Sequence, residues 1–420
     1  MNCLRGKTTL TGMITLNKPR VCLLTGTYYP VIGGGEIQAR ALVEGLAAQE
    51  YRALVVTRRS STGLLPHERF GAVDVYRLPP AGAAQLKKWG LLFSAGLALL
   101  RLRKEYDLIF VSGFRILGLP AVLLGKLLGK RCILKSDSLG EMSGDLFTAG
   151  LARVRLSKAS LPFRLFLRMR NAVLRRADAF VAISEEVAVE LEAGGITADK
   201  IWHIPNSVDA DLFHPVSDKE QGLLREKLGV PARARVVVYT GRLVSYKGLP
   251  LLLRVWNEIA ARNNDVYLLL VGSGSLDIHN CEEELRAFVR DKQLEHSVRF
   301  TGSVPNVHTY LQAADIFAFP TENEAFGIAL IEAMACGLAV VGTCVGGVKD
   351  ILRDLQNGLI VPPADAGRLK PALEILLNDG GLRQQLGTAA RQTVEERYTT
   401  TQVVRQYIQL FSIQYGNTLS

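Results

Sequence analysis

The chain has few cysteines, and those it has are scattered. Cys3, Cys22, Cys132, Cys281, Cys336 and Cys344 include no close pair. That excludes a disulfide framework and a paired-cysteine zinc site, and it fits a reducing cytosol. The six histidines show no i, i+4 pair or other ligand spacing. No apolar run is long enough to cross a bilayer. The longest, Gly90 to Leu100, is interrupted by Ser94 and followed by Arg101. The first 18 residues carry Arg5, Lys7 and Lys18 without a continuous apolar stretch, so a loose extension is expected there, not a cleaved signal. Internal repeats of short period and low-complexity tracts are also missing. From Gly150 to Ala177 there is no acid at all, against Arg153, Arg155, Lys158, Arg164, Arg168, Arg170, Arg175 and Arg176.

What is present describes a globular protein of two or three domains: 420 residues, 48% hydrophobic and 21% charged. The net charge of +10 is unevenly spread. Residues 1–200 hold 29 Lys+Arg against 16 Asp+Glu, a surplus of 13, while the remainder hold 21 against 24. The two halves therefore face different partners. In helical projection Arg164, Arg168 and Arg175 share one face, opposite Phe166, Met169 and Val173. Segment 153–176 reads either as a docked helix with a solvated basic face or as an element that meets an anionic membrane surface. Nucleic acid is not expected, because no aromatic stacking platform accompanies the charge.

Strand and helix alternate along the chain. Short apolar strands are expected at 20–25, 53–57, 73–78, 108–111, 132–135, 179–183 and 201–204. Helices are expected around 36–48, 91–105, 117–128 and 162–176. Residues 205–215, rich in Pro, Asp and Asn, break this pattern. A second alternating block then has strands at 236–240, 267–271, 298–301, 316–319, 339–342 and 359–361. The expected fold class is α/β, with two Rossmann-like doubly wound domains facing a central cleft. The division is an extension at 1–19, a first domain at 20–212, a linker at 213–232 and a second domain at 233–395. A last helix near 396–415 crosses back onto the first domain.

The stretch from Pro320 to Gly337 organises the rest. It reads as a strand end, a loop, and a helix from Phe326 to Cys336 that is apolar on nearly every side, with Gly337 as its C-terminal stop. Glu332 stands alone inside that helix and Glu324 just before it. A buried carboxylate needs donors. Either a backbone amide or cation of the same domain supplies them, or a hydroxyl-rich ligand such as a ribose does. Gly33-Gly34-Gly35-Glu36 lies between the first strand and the first helix, where glycines permit close approach to a phosphate or make a plain tight turn. It does not have dinucleotide spacing. Arg242 and Lys247 follow the first strand of the second block, where ligands of such sheets bind; they read as diphosphate ligands or as solvated cations. Glycine turns at Gly272 and Gly302 end two further strands. Asp209-Ala210-Asp211 matches a DxD metal motif, but its position in the seam favours a turn-capping role, and no metal is expected.

These residues together resemble the retaining, two-domain glycosyltransferases of family four, also termed group one. The Glu324-to-Glu332 spacing is similar to that family's Glu-x7-Glu signature. Residues 204–209, Gly241-Arg242, Lys247-Gly248, Val271-Gly272, Gly302 and Gly346-Gly347 resemble its other landmarks, in order. The resemblance implies a GT-B fold and a UDP- or GDP-linked sugar donor as substrate, with no cofactor or metal. Arg242 and Lys247 would hold the donor diphosphate. Glu332 would accept from the ribose and Glu324 would face the sugar. Ala325, Phe326, Gly327 and Ile328 would offer backbone contacts, Gly34 and Gly35 would approach from the opposite domain, Gly272 would lie in the donor crevice, and Val304 would meet the base. Many members carry a histidine at the end of the strand ahead of the sugar site. Here Ile133–Ser138 has none, and Asp137 falls at about that position, with Ser136 beside it. Glu324, Asp137, Arg242 and Lys247 are thus the candidate catalytic residues. Because the basic surplus lies wholly in the acceptor-side half, the expected acceptor is a lipid-linked glycan or glycolipid at the cytosolic membrane face. A soluble acceptor as in sucrose-type synthases, a sugar-nucleotide epimerase, and a non-catalytic binding subunit remain as alternatives.

Overall fold

The computed structural model describes residues 18–31, 33–82, 87–147, 157–274, 277 and 279–416. Arg153 and Arg155 of the basic segment lie outside the described residues, as does most of the 1–19 extension.

Two sheets form the frame. The first has the order β3-β4-β2-β1-β5-β6-β7-β8. Its strands are β1 (Val21–Thr25), β2 (Ala53–Arg58), β3 (His67–Phe70), β4 (Val73–Leu78), β5 (Leu108–Ser112), β6 (Arg131–Ser136), β7 (Ala179–Ala182) and β8 (Ile201–His203). All neighbours pair in parallel except β3 with β4. The second sheet has the order β11-β10-β9-β12-β13-β14 and is parallel throughout. It is built from β9 (Arg235–Thr240), β10 (Val266–Val271), β11 (Val298–Gly302), β12 (Ile316–Phe319), β13 (Ala339–Thr343) and β14 (Leu359–Val361). Helices cover both faces, so central strands such as β1, β5, β10 and β12 are buried from end to end. That is why they read as unbroken apolar runs.

In the first domain the sequence reading misses one strand and one helix. β3 alternates exposed and half-buried residues and is rich in charge, as an antiparallel edge strand can be, so no apolar run betrays it. A helix at Glu185–Ala193, capped by Ser184, was also not expected. Helix α1 (Gly34–Ala48) begins two residues earlier than expected, inside the glycine run. Helices α2 (Lys87–Arg101) and α3 (Phe114–Leu127) stack side by side over the first sheet.

The Leu161–Leu174 helix corrects the projected faces. Its buried side is Phe163, Arg170, Asn171 and Leu174. Met169, expected on the inner face, is 64% exposed, whereas Arg170 is only 2% exposed. Arg170 can go inside because it donates to the carbonyls of Arg115 (2.9 Å) and Glu141 (2.8 Å) and to Asn171 Oδ1 (2.7 Å). A cation with several acceptors tolerates burial that charge alone would forbid.

The Thr400–Gly416 helix lies on α1, with Val403, Val404, Tyr407, Leu410 and Phe411 in the core of the first sheet. The chain passes between the sheets twice, at Val208 and at Thr399. The two passages are tied by Val208 N to the Tyr398 carbonyl (2.8 Å) and Thr400 N to the Val208 carbonyl (3.0 Å).

Candidate active site

In the second sheet the strand order reverses between β9 and β12, and crevices at such switch points bind ligands. The loop after β9 carries Arg242, a short turn at Ser245–Lys247, then Gly248. Gly248 has φ +70, and a Cβ there would collide with the Pro320 carbonyl oxygen. Only glycine lets this loop close onto the end of β12. The closure is recorded by Glu322 N donating to the Tyr246 carbonyl at 2.8 Å. It brings Lys247 Nζ to 2.6 Å from Glu324 Oε2, with both side chains largely buried. The Gly346-Gly347 pair packs under the same loop, Gly347 N donating to the Glu324 carbonyl at 3.1 Å. Arg242 is held at the rim by Asp277 and by the Tyr246 hydroxyl at 2.8 Å. Tyr239 donates from below to the Arg242 carbonyl at 2.9 Å, and burial pushes its hydroxyl pKa up.

Across the cleft lies the loop after β1. A Cβ at Gly34 would stand 3.0 Å from Ile328 Cδ1, so the two halves meet there without a side chain between them. The cleft holds about 530 Å³, a volume suited to a small ligand. Gly34, Gly35 and Asp137 line it from the first half; Arg242, Lys247, Glu324, Ala325, Phe326, Gly327 and Ile328 line it from the second. The helix Ile328–Ala335 starts at its floor behind Gly327, which provides no side-chain cap.

Asp137 is fixed by two donors, Lys135 Nζ at 2.8 Å and Ser112 Oγ at 2.6 Å. Burial acts most strongly on the Lys135 pKa and lowers it, but the charge and hydrogen bond of Asp137, with Tyr407 and Glu141, together outweigh burial and the net shift is upward. Lys135 also donates to Asn206 Oδ1 at 2.9 Å, which ties the sheet to the interdomain passage. Behind Asp137 sits Glu141, whose Oε1 accepts from Asp137 N at 3.2 Å and whose Oε2 has no hydrogen-bond partner among the described residues. Burial, with the Asp137 charge second, pushes the Glu141 carboxyl up to about 8.

Three expected donor residues lie outside the cleft lining: Gly272, Val304 and Glu332. Gly272 has a packing reason of its own, since a Cβ there would collide with the Gly241 carbonyl oxygen. Glu332 sits one turn beyond Ile328 on the same helix and is half-buried, not enclosed, which corrects the expectation of a sealed core acid. Among the described residues no donor meets its carboxylate, and burial pushes its pKa up to about 8. The helix itself runs from Ile328 to Ala335, shorter at both ends than expected. Asp209 turns the chain, its Oδ1 accepting from Asp211 N and Leu212 N at 3.1 Å each.

Residues that sequence reasoning missed include Gln38, Tyr239, Tyr246 and Asn206, all in the cleft lining, and Lys135 beneath them. Lys135 was detectable: a lysine inside an apolar parallel strand is anomalous unless something pairs with it.

Two facing doubly wound domains with an interdomain cleft at the strand ends define the class of GT-B glycosyltransferases. Residues 220–393 match the family model for glycosyl transferases group 1, and residues 32–212 match that for glycosyltransferase family 4. The chain belongs to this family. It is 32% identical over 213 residues to a D-inositol 3-phosphate glycosyltransferase of Corynebacterium aurimucosum. That match covers 50% of this chain and 51% of the relative, so the chain spans about half the length of the curated relative it matches. Sucrose-phosphate synthase from Thermosynechococcus elongatus superposes with a TM-score of 0.79 at 25% identity, covering 95% of this chain and 100% of that one. Anabaena HepE, solved in complex with UDP and glucose, has the same fold, with a TM-score of 0.74 at 21% identity over 94% of this chain and 99% of that one.

Proposed function

We propose that the chain transfers a sugar, with retention of configuration, from a UDP- or GDP-linked donor to a hydroxyl of a glycan or glycolipid in cell-surface polysaccharide synthesis. The observation that carries this reading is the convergence of Arg242, Lys247 and Glu324 on one crevice facing Gly34 and Gly35. Two cations at a strand tip neutralise charge that grows on a departing diphosphate. The uncapped amides behind Gly327 face the same crevice and favour the same anion. Among the described residues no donor meets Glu332, and ribose hydroxyls would supply what it lacks. As the anomeric carbon becomes oxocarbenium-like, Glu324 stabilises it from the sugar side and Asp137 orients the sugar from the first half. Closure of the two halves excludes water, so transfer outruns hydrolysis. The nucleotide sugar is substrate, and no resident cofactor or metal takes part. The UDP in the HepE structure supports a uridine nucleotide without excluding guanosine.

We assign the protein to the cytosolic membrane face as a peripheral enzyme. On the Leu161–Leu174 helix, Leu161, Leu165 and Met169 are exposed beside the exposed Arg164 and Arg168. That mixture of apolar and cationic side chains suits an anionic lipid surface. No helix among the described residues is long and apolar enough to cross a membrane. A second reading, a soluble phosphorylated acceptor, is favoured by the likeness to sucrose-phosphate synthase. Release of nucleoside diphosphate from a panel of UDP- and GDP-sugars tests the function. Absence of turnover with every donor and acceptor, despite diphosphate binding, would leave a binding subunit.

A further inference from the structure

Among the described residues, Asp137 is the one acid that lines the donor cleft from the first half. The segment that carries it, Asp137-Ser138-Leu139-Gly140-Glu141, follows β6 and turns at Gly140, whose φ is +93. Glu190 pins this turn by accepting from Gly140 N at 2.7 Å, Met142 N at 2.9 Å and Ser143 N at 3.0 Å. Arg170 pins it again by donating to the Glu141 carbonyl at 2.8 Å. With its backbone so held, Glu141 is only 2% exposed, and its side chain reaches back to Asp137 N.

Two acids converge there. The position of a Cβ on Gly113 lies 3.5 Å from Asp137 Oδ2 and 3.9 Å from Glu141 Oε1, so both carboxyl groups face the turn between β5 and α3. Their partners differ. Asp137 takes Lys135 Nζ and Ser112 Oγ as donors. Among the described residues the Glu141 carboxyl meets only the Asp137 N–H, and its Oε2 is shut off from solvent without a partner. The other charges that face it are Lys135 from β6, Arg115 from α3 and Arg170 from the Leu161–Leu174 helix, with Glu190 beyond Arg170. Their attraction does not offset burial and the Asp137 charge, so Glu141 keeps its proton at neutral pH. A buried oxygen without a donor costs less on a neutral carboxyl than on a carboxylate. An acid perturbed in this way beside a cleft is a candidate for a role in the reaction.

We propose that Glu141 is the positioning residue for Asp137: an uncharged carboxyl that holds the Asp137 backbone and leaves Asp137 the single anion offered to the sugar from the first half. The proposal rests on the donor-cleft reading above and goes further by assigning a residue that does not touch the cleft. While Glu141 is neutral, Lys135 and Ser112 alone set the direction of the Asp137 carboxylate. Ionised, it adds a like charge that Asp137 relieves by moving. The competing role for Glu141 is a plain brace for the loop.

The test measures kcat and donor KM across neutral and alkaline pH. Glu141→Leu leaves the Asp137 N–H without its acceptor and is expected to lower kcat about ten-fold or more, with nucleoside diphosphate affinity unchanged. Glu141→Gln, whose amide oxygen still accepts, is expected to recover most of that loss at neutral pH. Wild-type kcat is expected to fall as pH rises through about 8, and Glu141→Gln to lack that fall. A plain brace would give the two proteins one profile shape. Carboxyl-carbon NMR of glutamate-labelled protein gives a readout without turnover. The Glu141 signal, assigned by its loss in Glu141→Gln, is expected to titrate near 8 in the wild type and at lower pH in Asp137→Asn. If no donor is turned over, the donor reading fails by itself and this titration decides the proposal. If Glu141→Leu does not fold, the Glu141→Gln profile and the titration decide it. Equal alkaline falls in wild type and Glu141→Gln, or a Glu141 titration in the ordinary carboxylate range that Asp137→Asn leaves in place, overturns the proposal.

Discussion

Lys247 and Glu324 stand 77 positions apart in the chain and 2.6 Å apart in space. β10 and β11 intervene in sequence, yet β9 and β12 are neighbours in the sheet, so the two loops open side by side. The pair is nearly neutral in sum and sits where a diphosphate would enter. On the proposed reading, an incoming phosphate would compete with Glu324 for the ammonium and leave the carboxylate free to face the sugar.

Lys247→Ala and Glu324→Ala are each expected to lower kcat by about 100-fold or more. Both should remain folded, since water in the open cleft can solvate the surviving partner. Steady-state donor turnover and circular dichroism check this. Full activity in either variant removes these residues from the site.

Gly248→Ala tests the closure that creates the pair. The substitution forces a side chain into a left-handed backbone and against the Pro320 carbonyl. A loss of about 2 kcal/mol or more is expected in denaturant unfolding, together with weaker nucleoside diphosphate binding. Wild-type affinity would mean that the loop holds Lys247 without this contact.

Glu332 predicts a pH dependence. Its folded-state pKa is raised by burial from 4.5 to about 8. Below 4.5 the carboxyl is protonated in both states and contributes nothing. Between 4.5 and about 8 the unfolded chain ionises first, the folded chain retains the proton, and stability falls as pH rises. Above that range the loss is complete. Glu332→Gln should therefore stabilise the protein at alkaline pH and leave it unchanged in acid, as read from urea midpoints across the range. The same variant should bind nucleoside diphosphate more weakly. Superimposable midpoint curves for the two proteins would place the acid in water.

Donor turnover is expected to continue in excess EDTA. The Asp209 carboxylate already accepts two backbone N–H groups. Activity lost to chelation and restored by Mn²⁺ would return Asp209 and Asp211 to consideration as ligands.

The Leu161–Leu174 helix should bind anionic vesicles, and salt should weaken the binding, because exposed charges are screened over about 8 Å at physiological ionic strength. Replacing Arg164 and Arg168 by Glu should abolish co-sedimentation, each arginine contributing about 1 kcal/mol near such a surface. Equal sedimentation of wild type and variant, or none at low salt, argues for a soluble acceptor.

Much of the site was legible because its parts end strands. Arg242, Lys247 and Glu324 each follow an apolar run closely, and in a parallel sheet such positions face the ligand edge. Met169 was placed on the wrong face, and Arg170 on no face at all, for a related reason. Periodicity sends a cation outward and has no knowledge of the carbonyls of Arg115 and Glu141 that wait inside. Glu332 was read as sealed because its helix is apolar, whereas only packing decides which flank of an apolar helix stays open.

The sequence by itself determined the local events: where apolar runs become strands, which glycines interrupt them, and which charged residues stand at each strand end. These depend on near neighbours along the chain, whose preferences act before any fold exists. Tertiary structure alone decided that β9 lies beside β12, that Gly248 meets Pro320, and that the crossings at Val208 and Thr399 share one seam. Those relations arise from crossover connections and long-range burial, whose energies belong to pairs of distant segments and are encoded in neither segment alone.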